Sequence, residues 1–162
     1  MDKARSDGVT LPAPSTHTEM AARRRGAEWA RAVVSQAMSR PVLTIDVAET
    51  LWDAWQLLSV SGLRHLAVVD DGRCLGIISD RMILTDIPVS EDRMRNRGVG
   101  ELLSRAPARS VRDTAPLADV ARLMARYSAE AVPVLDDLGR LVGIVTGSDL
   151  VRWWADEAAA RP

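Results

Sequence analysis

Apolar positions along this chain follow two periods, one of about 3.6 residues and one of two, and the whole pattern occurs twice. Residues 42–45 read as a short strand. Leu51, Ala54, Trp55 and Leu58 then recur at three- and four-residue spacing, which predicts a helix with one buried face running to Ser61. Thr50 stands before it as an N-cap and Gly62 after it as the stop. Residues 65–69 and 74–78 are short apolar runs separated by Asp70-Asp71-Gly72, the mark of a hairpin. Ser79 or Asp80 caps a further helix that ends before Pro88.

The same order returns beyond residues 90–98. Residues 108–111 predict a strand, and Leu117, Val120, Ala121 and Met124 a helical face. Strands are predicted over 131–135 and 141–145, around Asp136-Asp137-Leu138-Gly139. Gly147 and Ser148 open a last helix carrying Leu150, Val151, Trp153 and Trp154. Thr44 maps onto Ser110, Leu51 onto Leu117 and Val68 onto Val134, each 66 residues on. Gly72 maps onto Gly139 and Gly76 onto Gly143, each 67 on, so the extra residue falls in the second turn. That period is too long for a solenoid unit. It predicts an α/β protein of two β-α-β-β-α repeats packed with pseudo-two-fold symmetry, plus an N-terminal helix. The expected divisions are a mobile tail over 1–18, a helix-bearing segment over 19–40 stopped by Pro41, repeats over 41–90 and 99–155, a linker over 91–98, and a tail over 156–162.

Charge narrows the function. Lys and Arg total 21 against 22 Asp and Glu, a net charge of −1, so no overall basic field recruits nucleic acid or an anionic membrane. The run Arg23-Arg24-Arg25 reads as a solvated helix start, and no apolar signal region accompanies it. No apolar run is long enough to span a bilayer, so a cytoplasmic location is expected. Cys74 is the sole cysteine, which excludes an intramolecular disulfide and a multi-cysteine zinc site. No G-x-S-x-G, H-E-x-x-H, Walker loop or Cys/His pair occurs, so no enzyme is expected. Glu91, Asp92, Arg93, Arg95 and Arg97 read as a solvated linker. Trp153 and Trp154 are adjacent, so at most one points straight into the core and the other is expected at a dimer contact.

Two stretches carry a family resemblance. Arg64-His65-Leu66-Ala67-Val68-Val69-Asp70-Asp71-Gly72-Arg73-Cys74-Leu75-Gly76-Ile77-Ile78-Ser79 resembles a CBS domain, the unit named after cystathionine β-synthase. So does Ala131-Val132-Pro133-Val134-Leu135-Asp136-Asp137-Leu138-Gly139-Arg140-Leu141-Val142-Gly143-Ile144-Val145-Thr146-Gly147-Ser148-Asp149. One such stretch is moderately specific, and two in the same order at matching spacing are highly specific. The resemblance covers about residues 34–155. It implies a regulatory module that binds an adenosine nucleotide (AMP, ADP or ATP) in the cleft between repeats, without chemistry and without a cofactor or metal. It also implies a homodimer, in a parallel or antiparallel disc, whose output passes to an unidentified protein partner.

The resemblance also nominates residues. The family's ligand motif is complete in Gly143-Ile144-Val145-Thr146-Gly147-Ser148-Asp149. It gives Asp149 the ribose hydroxyls, and gives the phosphate to Thr146, Ser148 and the free N–H groups where a strand turns into a helix. Taken in isolation the same residues suit a plain helix cap, and the repeat context turns the reading toward a nucleotide. The first repeat reads Gly76-Ile77-Ile78-Ser79-Asp80-Arg81-Met82, with Met82 where the ribose aspartate stands. A thioether cannot accept from two hydroxyls, so one competent and one degenerate site are expected. Ser110, Val111, Ala131, Val132 and Pro133 are the implied base pocket. Arg64 and His65 are the implied phosphate partners from the other repeat, since Glu130 and Ala131 at the equivalent positions do not attract phosphate. The rival readings are a structural or adaptor homodimer with a vestigial site, and a nucleic-acid-binding regulator using residues 23–25 and exposed Trp.

Overall fold

The computed structural model describes residue 29 and residues 31–86, 90–103 and 109–159. The expected tail over 1–18, most of residues 19–30 of the expected N-terminal helix and the start of the expected strand at 108 lie outside the described residues. Over 31–38, where that helix is also expected, only a short 3-10 helix at Val34–Gln36 forms, because Val33 and Val34 pair with the second repeat instead. The first repeat runs β1 (Thr44–Asp46), α1 (Leu51–Ser61), β2 (His65–Asp70), β3 (Arg73–Ser79) and α2 (Asp80–Asp86). Two short helices follow, α3 (Glu91–Arg95) and α4 (Gly100–Leu103). The second repeat runs β4 (Val111–Arg112), α5 (Leu117–Tyr127), β5 (Ala131–Leu135), β6 (Leu141–Thr146) and α6 (Gly147–Ala159). Each repeat forms a three-stranded sheet in sequential order, its first pair parallel and its second antiparallel. The parallel pairs, β1 with β2 and β4 with β5, are joined by the crossover helices α1 and α5, as parallel pairing requires.

Local chemistry accounts for the boundaries. Thr50 Oγ1 accepts from the Asp53 N–H, and the Asp53 carboxylate accepts from the Thr50 N–H, closing a capping box at α1. The hydrogen bond from the Thr50 hydroxyl is the largest influence holding the Asp53 carboxyl below its ordinary range. Gly62 ends α1 with φ +68°, a conformation that favours glycine. Asp71 and Gly72 both have positive φ, +46° and +77°, the requirement of a two-residue turn that matches strand twist. The longer second turn is held differently. Asp136 accepts from the N–H groups of Leu138 and Arg140 and from the Arg140 guanidinium. The Arg140 N–H does most to hold that carboxyl low.

The expected solvated linker is a structural element, which corrects the sequence reading. Ser90 caps α3, Glu91 pairs with Arg95 and Arg97 with Glu101, and these charges coat the outer side. Met94 turns inward and is fully buried with Val99 and Leu102 in the core of the first repeat. Arg95 lies over the Trp52 ring at 5.0 Å. Five charged residues concealed one apolar anchor.

That anchoring is reciprocal. Ala32 and Val34, from the segment before the first repeat, lie in the core of the second, with Leu117, Val120 and Val134. The Val34 N–H donates to Ala115 O at 2.9 Å and the Leu117 N–H to Ala32 O at 2.8 Å. The matching bonds on the other side run from the Val99 N–H to Glu49 O and from the Leu51 N–H to Arg97 O, both 2.9 Å. Each repeat is thus completed by the segment that precedes its partner, and neither core closes alone. Trp153 packs against the second core, and Trp154 is the more exposed of the pair. Trp29 contacts both, with ring centroids 5.4 and 5.9 Å away.

Candidate functional site

The two repeats meet where β3 packs against β5. Between them lies a cavity of about 730 Å³, within the size range of small-molecule sites. Gly76, Ile77, Ile78, Ser79, Arg81, Met82 and Thr85 line it from the first repeat. Ala131, Val132 and Pro133 form the opposite wall, and Arg109, Tyr127, Ser128, Ala129 and Glu130 complete the rim with Leu102, Leu103 and His65. The nominated residues therefore divide. Ala131, Val132, Pro133 and His65 line this cavity, whereas Asp149, Thr146, Ser148, Ser110, Val111 and Arg64 do not. The wall drawn from the second repeat faces Met82, the position read as degenerate.

Asp149 lies outside that lining and is 3% exposed. One carboxylate oxygen accepts from Ser39 Oγ at 2.7 Å and from Arg152 at 3.2 Å. The other accepts from Thr146 N–H at 2.8 Å and Thr146 Oγ1 at 2.6 Å. The Asp149 N–H in turn donates to Thr146 Oγ1 at 3.2 Å. Thr146 and Asp149 thus cap α6 as Thr50 and Asp53 cap α1. The segment before the first repeat covers this carboxylate, and Ser39 pairs with Ile144. A Cβ on Gly143 would stand 2.2 Å from Met38 Sδ, so only glycine admits that side chain without a shift. Ser148 and Ser110 are exposed, and Val111 is half-buried.

The cationic groups also differ from expectation. Arg64 is exposed and pairs with Asp80 at 3.3 Å, away from the cavity lining. Arg81 bonds Glu130 across the repeats at 2.9 Å. His65 Nε2 is 3.8 Å from Glu130, beyond hydrogen-bond reach, and has no bonded partner among the described residues. Burial pushes His65 below its ordinary value, outweighing the attraction of Glu130 and Asp80, with Arg64 lowering it further.

A pH signature follows. The unfolded chain takes up a proton on this residue near pH 6.5, and the folded chain only at lower pH. Its effect on stability is absent above that window and destabilising as pH falls through it. His65→Gln should reduce the loss of stability between pH 7 and pH 5, read from urea midpoints. An unchanged loss would contradict the assignment.

Arg81, Arg109 and Tyr127 escaped the sequence reading. Arg109 lies just before β4 outside any motif, and its guanidinium carbon stands 3.3 Å from the Tyr127 ring centroid. The usable signal was the repeat itself, because hairpin strands related by a pseudo-two-fold axis face the partner's motif.

The family model for the CBS domain matches residues 34–88 and 99–156. The chain belongs to the CBS domain family. It is 37% identical over 131 residues to a CBS domain-containing protein of Dictyostelium discoideum, covering 75% of this chain and 90% of that one. Other curated relatives are longer, and the chain spans less than half of their length. Among solved CBS pairs, CBSX2 from Arabidopsis thaliana is similar at TM-score 0.68 and 27% identity, covering 80% of this chain and 98% of that one. The CBS domain pair of protein MJ0100, solved with 5′-methylthioadenosine and S-adenosyl-L-methionine, is similar at TM-score 0.62 and 27% identity, covering 78% and 98%. CBS pairs are generally regulatory rather than catalytic. Among the described residues no helix is long and apolar enough to cross a membrane.

Proposed function

We propose that this chain is a cytoplasmic sensor of an adenosine nucleotide, AMP, ADP or ATP, bound between its CBS repeats without chemistry. The observation that carries this reading is a ligand-sized cavity whose walls come from both repeats. An occupant touches both at once, so occupancy can bias their relative packing through its differential affinity for the two arrangements. The adenine would lie on the apolar wall of Ala131, Val132 and Pro133, with the phosphate toward the arginines at the rim. The output passes to a separate protein partner. A homodimer is favoured by the apolar side chains exposed on helices of both repeats, Val60, Leu84, Val151 and Trp154.

A second placement keeps the family's ribose role for Asp149, with phosphate on Thr146 and Ser148 and the base beside Ser110 and Val111. There the ribose hydroxyls must replace Ser39 and Arg152 on the carboxylate. Calorimetric titration with AMP, ADP and ATP tests both placements. About one nucleotide per chain, lost in Ala131→Trp and retained in Asp149→Asn, is expected from the cavity beside Met82. The reverse pattern would place the ligand at Asp149. Thermal unfolding of each variant confirms that it remains folded. No binding of any nucleotide by the wild type would leave the adaptor reading.

A further inference from the structure

Among the described residues two arginines line the inter-repeat cavity, and one of them is engaged. Arg64 is paired with Asp80 and does not line the cavity, and Arg81 is bonded to Glu130. Arg109 lines the cavity, is half-buried, and has no carboxylate within ion-pair distance among the described residues. Its guanidinium lies against the Tyr127 ring at 3.3 Å. Such stacking uses the face of the guanidinium. A guanidinium carries five N–H donors in its plane, and among the described residues Arg109 spends none of them on a carboxylate.

The rest of the lining makes this cation decisive. Met82 takes the place at which the second repeat has Asp149, so no carboxylate at that position is available to clamp a ribose diol. Ile77, Ile78, Val132 and Pro133 are apolar lining and do not discriminate a ligand by charge. Glu130 also faces the cavity, but Arg81 neutralises it.

We propose that Arg109 is the anion receptor of this cleft and sets its ligand class, a nucleoside carrying phosphate rather than an uncharged nucleoside. The proposal rests on the nucleotide reading above and adds the residue that makes the selection. A bidentate guanidinium–phosphate contact accounts for the preference, and the stack on Tyr127 holds the fork in place before the ligand arrives.

Titration of the wild type with ADP and with adenosine, repeated on Arg109→Ala and Arg109→Lys, tests it. ADP should bind the wild type about ten- to a hundredfold more tightly than adenosine, the range one charge-assisted contact supplies. In Arg109→Ala the affinity for ADP should fall to that for adenosine, while adenosine itself binds as it does to the wild type. Arg109→Lys should recover part of the preference, because it keeps the charge and loses the fork. Equal affinities for ADP and adenosine in the wild type would overturn the proposal and leave the nucleoside site standing. A parallel loss of both ligands in Arg109→Ala would also overturn it, since that marks a structural role. Failure of both ligands on the wild type would remove the nucleotide reading and this inference with it.

Discussion

Asp149→Ala should lower the stability of the ligand-free protein by about 3 kcal/mol, because the carboxylate is a tie between segments as well as a candidate ligand group. Its removal leaves the part-buried Thr146 N–H and Ser39 hydroxyl without their acceptor. Each orphaned donor costs about 1–3 kcal/mol, and the helix cap is lost as well. In a chain of this length that corresponds to a fall in Tm of roughly 6–12 °C. Ser39→Ala should cost only about 1 kcal/mol, since Thr146 and Arg152 still serve the carboxylate. Thermal unfolding without nucleotide decides the matter, and a Tm within about a degree of the wild type would show that Asp149 bears no structural load. A binding deficit in Asp149→Ala is therefore ambiguous by itself, and the Tm of the same variant has to be read beside it.

Met94→Ala is the second large effect. Met94 is fully buried in a five-residue helix whose other side chains are charged, and it packs in one cluster with Leu51, Leu58 and Leu102. Truncating a buried methionine costs about 2–5 kcal/mol through lost transfer energy and the cavity left behind. The exposed neighbour Arg93→Ala should change stability by less than about 0.5 kcal/mol. Urea unfolding compares the two. Equal midpoints for the two variants would return residues 91–97 to the status of a solvated linker.

Much of the architecture was legible because its determinants are local. The capping box at Thr50 and Asp53, the left-handed stop at Gly62 and the Asp71-Gly72 turn each depend on neighbours within four residues. The repeat was legible for the same reason, since every local signal occurred twice. The helix at residues 91–95 was not legible. Its charged side chains form ion pairs that hide the pattern, and a single methionine carries the burial.

The sequence by itself determined the two β-α-β-β-α repeats, their turns and caps, the membership of one family, and the inequality between Met82 and Asp149. The tertiary structure alone decided which residues meet. Sequence reading grouped the wall at 131–133 with Asp149 because they share a repeat, yet those strands face the first repeat's motif across the interface. It placed Ser39 at the end of the N-terminal helix segment over 19–40, yet that residue reaches across 110 positions to Asp149. Hydrogen-bonded caps are written in nearby residues. A cavity made by packing two sheets face to face depends on contacts between residues far apart in the chain, which no local pattern specifies.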